Sequence, residues 1–368
     1  MADTNFYTLQ VKEVTQETDN AVVVTFDIPS NLKEKFTAQH GQYITVRFTI
    51  NGKEERRAYS LCSSPSMDKN LQIGVKRVTN GLVSNHINDQ LKKGASIEVM
   101  PPQGHFNTKL DHNNSKDYFL MAAGSGVTPM MSILKTVLEE EPKSNIYLFY
   151  GNRNENTIMF QAELEALEKR YAGQLKVIHT LTKPSVRKEG GVFGLFAKKI
   201  VDWNGKKGRI DARTAKEIIT ENRKGNRPTE CFLCGPESMM RTVEDTLKSL
   251  GIDEKNIHIE WFTPPTVAGE GKEIHGDGAK ATVIMNRKTI ELNLLPNETI
   301  LDGLLRIDED PPYSCMSGAC STCVCKIQKG AAEMERCLAL SDDEVKNGYL
   351  LSCSAIPTTD EIEVNFDV

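Results

Sequence analysis

Along residues 6 to 101 short β-rich apolar runs at 22–26, 43–48, 71–78 and 97–100 are separated by polar stretches with Gly, Pro, Asn and charged turns. Runs bounded by such turns predict strand after strand, spaced as an antiparallel β-barrel requires. One helical stretch, 82–91, interrupts them. From 117 to about 262 the pattern changes to apolar runs at 118–122, 145–150, 175–181, 231–234 and 257–261, alternating with helical stretches at 130–140, 161–171, 212–221 and 237–250. Alternating strands and helices predict an α/β unit with a parallel sheet covered on both faces. Residues 263–280 break the pattern with Thr263-Pro264-Pro265, Gly269, Gly271, Gly276 and Gly278, the composition of a linker that would let the last unit swing. Beyond it, 281–285 and 289–292 predict a hairpin and 301–307 a helix. The chain thus divides into units at 1–110, 111–265 and 281–368, with 266–280 between the last two.

Composition narrows the class. Hydrophobic residues at 39% and charged residues at 26% are ordinary for a water-soluble protein. No run approaches the ~18 apolar residues of a membrane span, and the first ten residues lack a basic and apolar signal region, so the expected location is the cytoplasm. The net charge of −5 is unevenly spread: residues 281–368 hold 7 Lys or Arg against 15 Asp or Glu, net −8, leaving +3 for the rest. That asymmetry suits docking of an acidic unit on a basic face and argues against a nucleic-acid footprint; an acidic surface also simply aids solubility.

Four residues separate Cys315 from Cys320 and two separate Cys320 from Cys323, while Cys353 follows after 29 more. This is the plant-type spacing for a 2Fe-2S cluster. The small residues Ser317, Gly318, Ala319 and Ser321 let the backbone wrap such a cluster with its amides toward the sulfurs. A structural zinc site is the alternative, but it normally uses paired ligands, and the other close pair, Cys231 and Cys234, is remote in sequence. Cys325 and Cys337 are spare thiols by spacing. With nine cysteines, an odd number, a secreted disulfide framework is a poor reading.

Two further half-sites stand out. In the first unit, Arg57-Ala58-Tyr59-Ser60 offers a cation, a flat aromatic and a hydroxyl in extended positions, and Gly81-Leu82-Val83-Ser84 opens a helix whose free N–H groups favour a phosphate. In the second, a strand runs into Gly124-Ser125-Gly126-Val127-Thr128-Pro129, where glycines admit a pyrophosphate and Pro129 fits the first helical turn. A second loop, Cys234-Gly235-Pro236, ends a later strand; Cys231 and Cys234 can also be read as a redox pair, although such pairs normally open a helix. The strand ends at Arg153 and Lys183 present cations and no acid for a ribose 2′-hydroxyl, which favours NADPH over NADH. Between Lys183 and Arg209 lies a long lysine- and glycine-rich connection with an apolar run at 192–196, suited to covering a cofactor, touching a partner, or serving as a plain surface insertion.

The cysteine loop resembles the plant-type ferredoxins, and Arg57-x-Tyr59-Ser60, Gly81 to Ser84, Gly124-x-Gly126-x-Thr128-Pro129 and Cys234-Gly235-Pro236 resemble the ferredoxin–NADP reductase superfamily. The resemblance implies a β-barrel flavin domain, an α/β nucleotide domain and an α+β β-grasp ferredoxin domain. It implies that Arg57, Tyr59, Ser60, Gly81 and Ser84 hold the flavin, with Gly81 and Ser84 at the pyrophosphate of FAD rather than FMN. Gly124, Gly126, Thr128, Pro129, Arg153, Lys183, Cys234, Gly235 and Pro236 would hold the nicotinamide nucleotide, and Tyr59, Ser60 and Cys234 would line the hydride path. Cys315, Cys320, Cys323 and Cys353 would carry the cluster. The domain order is similar to that of the reductase components of multicomponent oxygenases, and looks closest to reductase subunits of ring-1,2-phenylacetyl-CoA epoxidases, with steroid-hydroxylase and phthalate-dioxygenase reductases as cousins. It implies electrons passing from NAD(P)H through flavin and cluster, one at a time, to a terminal oxygenase or hydroxylase. A redox sensor is the alternative class. Met316, where ferredoxins often carry Arg or Lys, departs from the pattern.

Overall fold

The computed structural model describes residues 3–189, 198–262, 274 and 276–368. The first unit is a six-stranded antiparallel sheet of β1 (Tyr7–Thr18), β2 (Ala21–Asp27), β3 (Tyr43–Ile50), β4 (Lys53–Ser60), β5 (Gln72–Lys76) and β6 (Ser96–Gln103), with α1 (Leu82–Gln90) between the last two. Its order, β4-β3-β6-β1-β2-β5, leaves β4 and β5 at the edges. The sheet curls until the isolated bridge Leu61↔Ile73 joins those edges, so the expected barrel closes by a single bridge rather than a full ladder. Strands β1 and β4 form no separate apolar runs in the sequence. β4 reads Lys-Glu-Glu-Arg-Arg, and cross-strand pairing with β3 over Tyr43↔Ser60 to Ile50↔Lys53 holds it extended.

The second unit follows the alternation: β7 (Asp117–Ala123), α2 (Val127–Glu140), β8 (Asn145–Asn152), α3 (Gln161–Arg170), β9 (Leu175–Leu181), β10 (Val186–Glu189), β11 (Lys198–Val201), β12 (Lys206–Lys207), α4 (Ala212–Asn222), β13 (Thr229–Cys234), α5 (Glu237–Ser249) and β14 (Ile257–Glu260). The parallel sheet has the order β12-β9-β8-β7-β13-β14, which reverses direction at β7. Ligands of open α/β sheets bind outside the carboxyl ends of strands at such a switch point. β7 is buried along nearly all its length, as a central parallel strand must be. The connection after Lys183 forms a hairpin, β10 on β11, with Val186 opposite Val201; its apolar run at 192–196 lies outside the described residues.

The third unit comprises β15 (Ala279–Met285), β16 (Lys288–Leu294), α6 (Ile300–Arg306), β17 (Val324–Lys329), β18 (Ala332–Met334), α7 (Asp342–Lys346), β19 (Tyr349–Leu351), β20 (Ala355–Pro357) and β21 (Glu361–Asn365). A five-stranded sheet, β16-β15-β21-β17-β19, grasps α6, and β18 pairs with β20 beside it. Most of the linker expected at 266–280, including Gly269 and Gly271, lies outside the described residues. No described helix is long and apolar enough to cross a membrane.

One apolar core unites the first two units. It runs from Ala21, Val23, Cys62 and Phe106 of the barrel into Val127, Met130, Leu134 and Phe232 of the parallel unit, with Phe106 and Phe232 edge to face at 5.2 Å. Ser132 of α2 ties the seam by donating to the Ser63 carbonyl at 2.7 Å. Between the units opens a cavity of about 1450 Å³.

Candidate functional site

The cavity gathers residues from all three units. β4 brings in Arg57, Tyr59 and Ser60, the start of α1 brings Gly81 and Ser84, and the loop after β7 brings Gly124, Gly126 and Thr128. Arg153 follows β8, Lys183 follows β9, and Gly235 and Pro236 follow β13. Cys315 and Cys320 of the third unit also face it. Four expected residues stand behind this wall: Pro129 is buried in the first turn of α2, Cys234 is fully buried at the end of β13, Cys323 is buried at the end of the cysteine loop, and Cys353 is half-buried on the turn between β19 and β20.

One side of the cavity is built by β4. Arg57 pairs with Glu55 at 3.0 Å and donates to the Arg56 carbonyl at 2.6 Å, which turns its guanidinium along the strand. Tyr59 packs on the barrel core, and burial raises its phenol above its ordinary range. The Ser60 hydroxyl donates to Glu260 Oε2 at 2.9 Å, across 200 residues of sequence. Desolvation pushes the Glu260 carboxyl up to about 8, with the Ser60 hydrogen bond opposing only in part. At α1, Gly81 is the N-cap and no side chain caps the first turn. The Ser84 hydroxyl instead accepts from the Val78 N–H at 3.2 Å and shapes the loop that presents the helix end.

The opposite side depends on a close approach. A Cβ on Gly126 would lie 2.0 Å from the Cys234 carbonyl oxygen, so glycine alone lets the two loops touch. Helix α2 begins there out of a 3₁₀ turn, Gly124–Gly126, with the Val127 N–H donating to the Gly124 and Ser125 carbonyls and no N–H at Pro129. Lys76, at the end of β5, lines the same space; its ammonium lies 3.7 Å from where a Cβ on Gly124 would stand, and desolvation lowers its pKa. At the far end Lys183 N–H donates to the Arg153 carbonyl at 2.7 Å, aligning both cations, and Arg209 joins them. Asp211 is also there, but its carboxylate caps α4 through the Thr214 N–H at 2.8 Å.

Cys315 meets the thiols of Cys320 and Cys353, and Cys323 meets that of Cys353, which comes from the turn between β19 and β20. Hydrogen bonding with Cys320 and Cys353 holds Cys315 below the ordinary thiol range, and the hydrogen bond with Cys315 together with burial raises Cys320. The Gly318 amide points at Cys353 Sγ, 3.4 Å away. A Cβ on Gly318 would meet the Arg336 carbonyl at 2.6 Å, and its φ of +72° suits glycine. Met316 adopts a positive φ of 52° and is 49% exposed. Three thiols on one loop, a fourth from the turn between β19 and β20, and an amide directed at sulfur fit a 2Fe-2S cluster. Cys325 is buried in the third unit's core and Cys337 reaches only the Leu340 carbonyl, so both stay spare.

Four contributors escape a reading of the sequence: Lys76, Glu260, Tyr43 and Arg56. Glu260 could be suspected from its place at the carboxyl end of a parallel strand, and Lys76 from a lysine ending an apolar run. Tyr43 and Arg56 carry no local signal. Tyr43 OH lies 3.0 Å from Thr322 Oγ1 and 3.4 Å from Ser321 Oγ of the cysteine loop. Arg56, 4% exposed, holds Asp310, donates to the Pro311 carbonyl at 3.3 Å and stacks on Tyr313, 4.0 Å from the ring centre.

Comparison with known proteins assigns each unit. Residues 8–108 match the oxidoreductase FAD-binding domain, 120–245 the oxidoreductase NAD-binding domain, and 283–358 the 2Fe-2S iron-sulfur cluster binding domain. The chain is 36% identical to one of the subunits of the 1,2-phenylacetyl-CoA epoxidase of Escherichia coli K12, over 99% of this chain and 98% of that one. It is 32% identical to the ferredoxin reductase component of 3-ketosteroid-9-alpha-monooxygenase from Rhodococcus rhodochrous, over 97% and 96%. Phthalate dioxygenase reductase shares the fold, with a TM-score of 0.58 at 23% identity and 98% coverage of both chains. With FAD-binding, NAD-binding and 2Fe-2S domains in one chain and full-length similarity to components of oxygenases, the protein belongs to the family of NAD(P)H-dependent oxidoreductases that serve as the reductase components of oxygenases.

Proposed function

We propose that the chain is the NADPH-dependent reductase of an oxygenase of the phenylacetyl-CoA epoxidase type, acting in the cytoplasm, with working units at 1–110, 111–265 and 281–368. The observation that carries this reading is the single cavity shared by Arg57, Tyr59 and Ser60, by Gly124 to Thr128, and by Cys315 and Cys320. When bound, FAD takes a hydride from the nicotinamide and gives up single electrons, and a 2Fe-2S cluster carries one. The chain's own residues supply position and electrostatics. Arg57, Gly81 and the open first turn of α1 are placed for the flavin phosphates, with Ser84 shaping that turn. Tyr59 flanks the ring and Ser60 lies at the reactive edge. Gly124, Gly126, Thr128, Pro129 and the start of α2 are placed for the nicotinamide nucleotide's pyrophosphate, with Lys76 beside them. Arg153 and Lys183 face a ribose 2′-phosphate, while Gly235 and Pro236, backed by Cys234, bound the nicotinamide end. Glu260 holds or releases a proton at the oxygen that accepts from Ser60. Cys315, Cys320, Cys323 and Cys353 are the cluster ligands in this reading.

The test is reconstitution with purified oxygenase components. Turnover coupled to a phenylacetyl-CoA epoxidase oxygenase, with kcat/KM higher for NADPH than for NADH, supports the reading. Coupling to a ketosteroid oxygenase alone, or preference for NADH, overturns the corresponding part.

A further inference from the structure

The barrel reaches the cysteine loop with a hydroxyl. Tyr43 lies opposite Ser60 across the β3–β4 ladder, 7% exposed, and its OH meets Thr322 Oγ1 at 3.0 Å. Thr322, 4% exposed, in turn lies 3.5 Å from Cys320 Sγ. If Cys320 is a metal-bound thiolate, its sulfur can only accept, so the Thr322 O–H turns toward it and leaves a lone pair for the Tyr43 O–H. The polarity of the chain Tyr43 to Thr322 to Cys320 is then fixed, and each donor strengthens the next. Hydrogen bonds to cluster sulfurs are a principal control on cluster potential, because they offset the charge added on reduction.

We propose that Tyr43 of the flavin domain is a positioning residue that raises the reduction potential of the cluster through Thr322, and does so only while the ferredoxin domain is docked on the barrel. Docking then favours loading of the cluster beside the flavin site, and release makes the loaded cluster a stronger donor for the next protein. The Arg56 contacts with Asp310, Pro311 and Tyr313 hold the segment leading into Cys315 and keep Tyr43 and Thr322 in register. Ser321 Oγ, in the same loop as Thr322, lies farther from the Tyr43 OH, at 3.4 Å. The inference rests on the assignment of Cys320 as a cluster ligand.

The experiment is an anaerobic redox titration of the full-length holoprotein, following the reduced cluster by electron paramagnetic resonance. Tyr43→Phe should lower the midpoint potential enough to shift the one-electron equilibrium with the flavin about fivefold, or about 40 mV at ~59 mV per tenfold. Thr322→Val should lower it at least as much, and the double variant no further than Thr322→Val alone, as for two groups acting in series. Thr322→Ser, which keeps the hydroxyl, should retain the wild-type value and guards against a loop that fails to assemble. Arg56→Ala, which loosens the dock without touching sulfur, should move the potential in the same direction as Tyr43→Phe. An unmoved potential in Tyr43→Phe with an intact cluster signal overturns the proposal, as do additive effects in the double variant. Absence of a 2Fe-2S signal in the wild-type protein would instead defeat the ligand assignment itself.

Discussion

The two seams that meet at the cavity are built differently. Between the flavin and nucleotide units the seam is a shared apolar core, with Phe106 against Phe232 and the barrel's Ala21, Val23 and Cys62 packed among residues of α2 and β8. Between the barrel and the ferredoxin unit, none of the buried apolar clusters among the described residues spans the boundary; the ferredoxin core keeps to its own residues. The contacts there are polar: Tyr43 with Thr322, and Arg56 with Asp310, Pro311 and Tyr313. Apolar burial is non-directional and costly to undo, whereas a few hydrogen bonds, each a net ~1 kcal/mol, can be made and broken. Hydride transfer needs a fixed relation between nicotinamide and flavin, and delivery of electrons to another protein needs a cluster that can leave. The two seams match those two requirements.

The largest test of this contrast removes the outlet. Cys320→Ser should abolish reduction of one-electron acceptors while reduction of the flavin by NADPH, followed by bleaching of its visible band, continues; survival of both would mean that electrons leave by another route. Next, Phe106→Ala should destabilise the flavin and nucleotide units together by roughly 3–5 kcal/mol. Calorimetry should show their shared transition lowered and the ferredoxin transition unmoved; separate shifts of barrel and nucleotide unit would contradict the common core.

A smaller effect concerns the rigid side of the contrast. The Glu260 carboxyl is raised to about 8, so it is mostly neutral at pH 7 and becomes charged as pH rises through that value. An acid with a raised folded pKa stabilises the fold least in its ionised form, so this group's contribution to stability falls between its unfolded pKa of about 4.5 and about 8. In the proposed site the new negative charge beside Ser60 would also oppose hydride arrival. Flavin reduction measured by stopped flow should slow above about pH 8 in the wild type, and Glu260→Gln should flatten that limb. Smaller again, Lys183→Ala should weaken NADPH against NADH by about fivefold in kcat/KM, in keeping with loss of one exposed charge contact.

Much of this plan is legible in the chain. Runs rich in apolar residues mark the parallel strands, and 175–181 coincides with β9. Spacing marks the cysteine loop, since three cysteines on one loop leave a local record. β1 and β4 have no such mark: β4 is a charged edge strand that pairing, not apolar content, holds in place. The seam residues leave no record at all. Ser60 and Glu260 are 200 positions apart, Arg56 and Asp310 are 254, and Tyr43 and Thr322 are 279. Each is an ordinary residue in its own window, and its role exists only once the units have packed. Arg56 shows this most sharply: its neighbour Arg57 is the same residue type and faces the cavity, whereas Arg56 points to another domain.

The ferredoxin unit, then, is held to the barrel by breakable polar contacts, while the other seam is permanent. Rapid mixing of the oxidised holoprotein with NADPH at increasing salt probes that difference, with flavin and cluster bands followed separately in wild type and Arg56→Ala. Asp310 is largely exposed, so salt should weaken its pairing with Arg56. Cluster reduction should slow with salt in the wild type and start about tenfold slower and nearly salt-independent in Arg56→Ala, while flavin reduction keeps one rate throughout. Cluster reduction unaffected by both salt and the substitution, or flavin reduction slowing in parallel with it, would contradict a polar, separable seam beside a permanent one.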